Sequence, residues 1–257
     1  MSCIQLTESI VANNIPFRLE NDPIVEALFE IRFQANVSQV STLLPGLMYS
    51  SIAQDFEAPE RLWAFEFPHG VIATQPSLQY QPTFRIKSKS YVILLGDSSL
   101  IISCMRPYEG WISFKALILK LLQALENTNL ISAVERFSVK YINVFLEPSL
   151  EKQFKLLNLK TQMGDYDLTK HQTVMQTEIV EDETNNLIEI RSNVMIKNPD
   201  GKDEVGILVS VDVICNETAD FWTNAEKNVD RIHSKEQQLF YGLLTKEAIN
   251  SCKPIWK

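Results

Sequence analysis

Long runs in which every second residue is apolar constrain this fold most strongly. Apolar residues occupy every second position from Val25 to Phe33, and Val or Ile does the same from Val205 to Val213. Because successive side chains of a strand point to opposite faces, a period of two predicts strands that bury one face and leave the other partly exposed. The chain must therefore build a sheet whose apolar face is covered by other elements.

Helical spacing follows each group of predicted strands. Apolar residues recur every three or four positions in Trp111–Asn127 and again over 218–250, which predicts two long helices with one buried face. A shorter helix is predicted over 37–56. The predicted strands cover residues 25–34, 63–67, 83–88, 91–95, 100–104, 137–146, 171–180, 187–197 and 204–215.

The order of these elements predicts an α+β fold. We expect two antiparallel strand-meander halves, each covered by helices, and their shared ending in a long helix suggests a pseudo-repeat. Periodicity weakens and polar residues dominate between Ser149 and Lys170. This change predicts an N-terminal α+β half over residues 1–160 and a C-terminal antiparallel meander with a long terminal helix over residues 161–257.

Charge and hydropathy restrict the partners. The chain carries 32 acidic and 24 basic residues, a net charge of −8, so we expect no non-specific binding to nucleic acid. No apolar run reaches the roughly 18 residues of a membrane-spanning helix, and no secretory signal is recognised. The cysteines Cys3, Cys104, Cys215 and Cys252 lack the spacing of a metal or dithiol site. A cytoplasmic protein with reduced thiols and no membrane partner is expected.

Motifs that carry catalysis are missing from the sequence. It has no glycine-rich phosphate loop, no zinc-binding histidine pair and no G-x-S-x-G turn. Histidine is the usual general base, and the sequence offers His69, His171 and His233. Asp230 and Glu236 lie one helical turn from His233 and could hold its imidazole, but a structural or surface role is favoured for this histidine. We therefore expect no cofactor and no metal.

The favoured function is a non-enzymatic protein-interaction module. Its partner would be another protein or a second copy, with the apolar stripe of the C-terminal helix as the surface for self-association. One alternative is a metal-dependent hydrolase in which Asp212 and Glu189, on successive predicted strands, form a carboxylate pair. A second alternative is an acidic antitoxin or chaperone-like partner protein, by analogy of fold pattern.

Two segments resemble signature stretches of a known family. They are Asp22–Phe33, which reads DPIVEALFEIRF, and Phe137–Asn143, which reads FSVKYIN. Together with the C-terminal helix around Ile232, His233 and Phe240, they are similar to a sporadically distributed family of uncharacterised prokaryotic proteins of about this length.

The second segment departs from that family's pattern. Ser138 stands where the family has glycine and Lys140 where it has arginine, so Tyr141 and Asn143 are the firmer matches. The family's patchy distribution implies an accessory prokaryotic system linked to defence. The resemblance assigns no catalytic residue.

The same two segments supply a candidate binding face. If their strands are neighbours in one sheet, Glu30, Arg32, Tyr141 and Asn143 would form a patch of carboxylate, guanidinium, phenol and amide groups. Such a patch could hold a polar ligand or satisfy its own hydrogen bonds, and the self-satisfied network is favoured.

Overall fold

Nine strands from both halves of the chain lie in one antiparallel sheet. The computed structural model describes residues 15–66, 75, 78–181, 183–197 and 203–256. The strands of the large sheet are β2 (Ile24–Ala35), β3 (Glu60–Arg61), β4 (Phe84–Lys87), β5 (Tyr91–Leu95), β6 (Ser99–Met105), β7 (Ile131–Leu146), β10 (Val174–Glu181), β11 (Thr184–Lys197) and β12 (Asp203–Cys215). Two short ladders accompany it, β1 (Arg18–Leu19) with β13 (Pro254–Ile255) and β8 (Gln162–Met163) with β9 (Tyr166–Asp167).

Five helices complete the described ranges. They are α1 (Leu44–Tyr49), α2 (Trp111–Asn127), α3 (Leu150–Lys155), α4 (Ala225–Leu243) and α5 (Lys246–Ser251). Short 3-10 turns occur at Val40–Thr42, Trp63–Glu66 and Leu168–Lys170. None of the helices that the structure describes is long and apolar enough to cross a membrane.

The two halves of the chain meet at the centre of the sheet. The strand order is β10-β11-β12-β7-β2-β6-β5-β4-β3, so the long strands β2 and β7 pair with each other. The meander β4-β5-β6 returns beside β2, and the meander β10-β11-β12 returns beside β7. The prediction of an α+β fold built on antiparallel strands is thus confirmed. The division near residue 160 stays a prediction.

The inner face of the sheet carries the core, as the alternating pattern requires. Phe114 of α2 stacks on Tyr91 of β5 with ring centroids 6.4 Å apart, and Phe240 of α4 stacks on Phe145 of β7 at 6.3 Å. Both long helices therefore cover the same face. The fully buried side chains of this face include Ala27, Phe29, Ile31, Phe33, Val139, Val209, Val211 and Val213.

We call the opposite side of the sheet the outer face. It consists of the side chains that alternate with the core residues, and most of them are partly exposed. On the central strands these residues are Glu26, Leu28, Glu30 and Arg32 of β2, Arg136, Ser138, Lys140 and Ile142 of β7, and Leu208, Ser210 and Asp212 of β12.

The predicted strand over 63–67 is wrong for its described part. Trp63–Glu66 form a 3-10 turn, in which the N–H of Phe65 donates to the carbonyl of Leu62 at 3.0 Å. Phe65 then packs edge-on against Phe84 at 5.2 Å, so the aromatic side chain is held by a turn and not by a ladder. Phe67, His69 and the predicted turn at 68–70 lie outside the described residues.

Two predicted helices are shorter than expected. The helix over 37–56 reduces to a 3-10 turn and the six residues of α1. The helix over 218–250 ends at Leu243, because Leu244 is extended with φ −89° and ψ 142°. Thr245 then caps α5 by accepting a hydrogen bond from the N–H of Ala248 at 3.3 Å.

Candidate functional site

The register of the central ladder divides the predicted binding face. Glu30 pairs with Ser138, whereas Ala27 pairs with Tyr141. Directly paired residues share a face and residues three positions apart do not, so Tyr141 points to the inner face and Glu30 to the outer face.

The strands that carry the two signature segments are neighbours in the sheet. Glu30 and Arg32 come together on the outer face, and Tyr141 and Asn143 lie on the inner face. The four side chains do not form one patch. The error has a physical cause, because polar character does not reveal the face on which a side chain of a central strand lies.

On the outer face, Glu30 is the centre of an ion cluster. Its Oε1 lies 3.1 Å from Nε of Arg32, and its Oε2 lies 2.6 Å from Nη2 of Arg136 on the neighbouring strand. The Glu30 side chain is 16% exposed and the two guanidinium side chains are 26% and 24% exposed, so water screens these pairs only in part. The carboxylate is thus fixed from both sides.

Asp212 extends this cluster onto β12. It pairs with Lys140 across the β7–β12 ladder. The pKa of Asp212 is raised overall, chiefly by burial. The positive charges of Lys140 and Arg136 oppose this shift, and the negative charge of Glu30 adds to it. We call Glu30, Arg32, Arg136, Ser138, Lys140 and Asp212 the outer ion cluster.

Two buried polar atoms of the outer ion cluster lack hydrogen bonds. They are Oδ1 of Asp212, an acceptor, and Nε of Arg136, a donor. Buried polar atoms are normally satisfied, and each orphan costs about 1–3 kcal/mol. The cluster therefore has one unused acceptor and one unused donor among its own residues.

Tyr80 flanks the outer ion cluster at one end. The guanidinium of Arg32 lies 4.1 Å from the centre of the Tyr80 ring, and the Tyr80 hydroxyl donates to Oε2 of Glu135 at 2.9 Å. Oε1 of Glu135 accepts from Nε2 of Gln34 at 3.1 Å. This cation–π contact and these hydrogen bonds fix the orientation of Arg32.

Aliphatic side chains surround the outer ion cluster. Leu28 lies two residues before Glu30 on the same strand, and Ile101 pairs with Glu30 across the β2–β6 ladder. Leu187 pairs with Asp212 across the β11–β12 ladder. All of these side chains are half-buried, in contrast to the fully buried residues of the inner face. We call the following set the aliphatic ring: Leu28, Val92, Leu94, Ile101, Ile142, Leu187, Leu208 and Ile214.

Beneath α4, the inner face holds a second polar group of residues. The hydroxyls of Tyr108 and Tyr141 are 2.8 Å apart. The imidazole of His233 stacks on the indole of Trp111 with centroids 3.6 Å apart, and it lies 5.6 Å from the ring of Tyr141. Together with Glu236, which is 3% exposed, these residues form what we call the inner aromatic cluster.

Burial sets the protonation of the inner aromatic cluster. It lowers the pKa of His233 to about 3 and raises the pKa of Glu236 well above its usual range. Nδ1 of His233 and Oε1 of Glu236 have no hydrogen-bond partner. Burial therefore favours the neutral form of both side chains.

Neither carboxylate near His233 in sequence holds its imidazole. Asp230 turns to α2, where its Oδ2 lies 2.7 Å from Nζ of Lys115 and its Oδ1 accepts from Nε1 of Trp111 at 3.3 Å. Asp230 also lines a shallow hollow at the start of α4. The favoured structural role of His233 agrees with its stacked, buried position.

Asn143 also lies on the inner face. Its Nδ2 donates to the carbonyl of Val209 at 3.4 Å, while its Oδ1 has no partner. The side chain is 1% exposed, so it bridges β7 and β12 inside the core.

The carboxylates of the hydrolase hypothesis lie on the outer face. Asp212 pairs with Leu187 and Glu189 with Ser210, which makes the two carboxylates diagonal neighbours on β12 and β11. Glu189 forms an ion pair with Arg191. Within the ranges that the structure describes, no group of three or more His, Cys, Asp or Glu residues could hold a metal ion.

The sequence contains a signal for Glu236 that belongs to no catalytic motif. Glu236 lies four residues after Ile232 and four residues before Phe240, so it occupies a core position of the apolar stripe of α4. A charged residue at such a position predicts a buried, perturbed group.

The sequence was compared with protein-family models and with curated proteins. No family model matches the sequence, and no curated protein matches it. The resemblance to the prokaryotic family thus stays a prediction.

Proposed function

We propose that this protein is a non-catalytic protein-interaction module that binds its partner on the outer face of the sheet. The observation that carries the proposal is the aliphatic ring. Its half-buried side chains surround charged groups on the outer face, which is the side of the sheet opposite to α2 and α4. An apolar surface with a charged centre is suited to a specific protein contact, because apolar burial supplies affinity and the charges fix the register.

The outer ion cluster suggests the chemistry of that partner. The Glu30 carboxylate and the guanidinium groups of Arg32 and Arg136 are 16%, 26% and 24% exposed, and they can meet the N–H and C=O of a peptide group. A partner segment that places apolar side chains on Leu28 and Leu208 would bring its peptide groups over the cluster. The partner is therefore a protein with an apolar contact segment.

The exposed side of α4 is less suited to binding a partner than the outer face of the sheet, because its residues are not apolar. They are polar or glycine: Glu226, Lys227, Ser234, Gln238 and Gly242. The apolar stripe of α4, which includes Val229, Ile232 and Phe240, is buried against the sheet. Self-association through this stripe would require α4 to leave the core.

We further propose that the two halves are a pseudo-repeat and that the protein serves an accessory, defence-linked prokaryotic system. Each half contains a long central strand, a short helix, a three-stranded meander and a long helix, in that order. The resemblance of the two signature segments supports the biological setting.

A matched pair of substitutions tests the binding face. Leu208→Lys places a charge in the aliphatic ring, and Gln238→Lys places the same charge on the exposed side of α4. Proteins retained by the wild type from a lysate of its host should be lost with Leu208→Lys and kept with Gln238→Lys. A photo-crosslinking residue at Leu28 should label the same protein.

Other outcomes would overturn the proposal. Equal retention by both variants, or no labelled protein from Leu28, would exclude the outer face as the binding surface. A heat of Mn²⁺ binding that disappears in Asp212→Asn would favour the hydrolase alternative. Thermal melts of both variants separate a binding defect from a folding defect.

A further inference from the structure

Strand β10 forms a long free edge of the large sheet. It spans eight residues and pairs with β11 on one side, and no other described strand pairs with it. The opposite edge is the two-residue β3. Val174 and Val180 of β10 are 64% and 73% exposed. An unpaired edge with exposed valines and no proline is a template for another strand.

The direction of its peptide groups can be assigned. Thr173 directly precedes β10 and lies opposite Ser192 of β11, in continuation of the β10–β11 register. The N–H of Ser192 donates to the carbonyl of Thr173 at 3.0 Å. Peptide groups alternate in an antiparallel pair, so odd-numbered residues of β10 point their N–H and C=O to β11. The peptide groups of Val174, Gln176, Glu178 and Val180 therefore point outward.

We propose that two copies of this chain pair antiparallel through β10, with the twofold axis at Thr177. In this register Val174 faces Val180 of the second copy, and Gln176 faces Glu178. All four outward peptide groups of each strand then meet outward peptide groups. The valine pairs cover the exposed apolar side chains, and an amide meets a carboxylate on each side of the axis.

Neighbouring registers lack this complementarity. An axis at Glu178 would place two carboxylates directly opposite each other, which is destabilising. An axis at Gln176 would set Val174 against Glu178 and leave Val180 beyond the end of the partner strand. A second copy is the occupant that the order of these side chains fits. This pairing is independent of what binds the outer face.

Single cysteines test the register. In an antiparallel pair, Thr177 and its counterpart would form a non-hydrogen-bonded pair with Cα atoms about 4.5 Å apart, within disulfide range. In a Cys3→Ser background, the remaining cysteines Cys104, Cys215 and Cys252 are buried. Thr177→Cys should then give a disulfide-linked dimer on mild oxidation.

Matched controls distinguish this register from random collision. Val174→Cys alone and Val180→Cys alone should remain uncrosslinked, because each cysteine lies far from its own counterpart. A mixture of the two variants should form the mixed disulfide. Crosslinking of all three single variants to the same extent would overturn the register.

A proline variant tests the dimer without cysteines. Glu178→Pro removes an outward N–H and leaves the backbone hydrogen bonds to β11 intact, although the side-chain bond from Asn185 is lost. This is a position where edge strands tolerate proline. Analytical ultracentrifugation should show a concentration-dependent dimer for the wild type and a monomer for the variant, with little change in Tm. A monomeric wild type at all concentrations, without a Thr177→Cys crosslink, would overturn the proposal.

Discussion

His233 lies flat against Trp111, with ring centroids 3.6 Å apart and planes inclined by 15°. The imidazole thus serves as an aromatic packing surface between α4 and α2, and its neighbourhood provides no partner for Nδ1. Burial lowers the pKa of His233 to about 3, so protonation would place an unpaired charge in the core.

We expect His233→Phe to remove a source of acid sensitivity. The folded-state pKa lies below the ordinary value of 6.5, so the unfolded chain binds the proton first and stability is lost as pH falls from 6.5 toward 3. Phenylalanine keeps the stack on Trp111 and cannot be protonated. The Tm of the variant should exceed that of the wild type progressively below pH 6.5, by the equivalent of a few kcal/mol at most. Parallel Tm curves from pH 3.5 to 7.5 would contradict this assignment.

The opposite pH dependence is expected for Glu236→Gln. Burial raises the folded-state pKa of Glu236, so its contribution to stability is fully present below the ordinary value of 4.5 and is lost as pH rises. The glutamine variant should therefore match the wild type near pH 4 and be more stable at pH 8. Urea unfolding at the two pH values measures the difference. A variant that is equally destabilised at both would show that the carboxyl group has a partner in the folded protein.

The outer ion cluster should respond unequally to loss of its two arginines. Arg136 binds Glu30 and also lowers the pKa of Asp212, whereas Arg32 binds Glu30 at the margin beside Tyr80. Arg136→Ala should cost about 1–3 kcal/mol, because it takes one of two cations away from each of the half-buried carboxylates Glu30 and Asp212. Arg32→Ala should cost less. Chemical denaturation of both variants and of the double variant gives the coupling energy, and a larger effect of Arg32→Ala would refute this order.

Gly206 is a position where β12 approaches β7 too closely for a side chain. A Cβ there would lie 2.3 Å from the carbonyl oxygen of Phe145, a backbone atom that cannot move without disturbing the ladder. Gly206→Ala should destabilise the protein by about 1–3 kcal/mol. Gly242→Ala is the matched control, since nothing lies within 4 Å of its Cβ position in α4. It should stabilise by about 0.5–1 kcal/mol. Similar Tm shifts for both would disprove the steric account.

Local periodicity predicted much of the fold. The predicted helix over 111–127 coincides with α2, and the alternating run from Val25 lies within β2. These elements follow from side-chain spacing alone. The 3-10 turn at Trp63–Glu66 was missed, because four residues of alternating character are too few to separate a strand from a turn that packs its aromatic side chain on Phe84.

The candidate site was predictable only in its components. Glu30 and Arg32 share a face because they are two residues apart on one strand, a local relation that the sequence contains. The contact of Glu30 with Arg136 and the separation from Tyr141 depend on the β2–β7 register, which joins residues over a hundred positions apart. No local pattern specifies that register.

The β2–β7 ladder also governs the order in which the protein can be completed during synthesis. Translation produces β2, the first meander and α2 before β7, so β2 has only β6 as a sheet neighbour until residues 131–146 leave the ribosome. During that interval the future centre of the sheet is an open edge of the nascent chain. Such open edges are where unfinished β-proteins aggregate, so the stage of synthesis before β7 is complete is the one most exposed to aggregation.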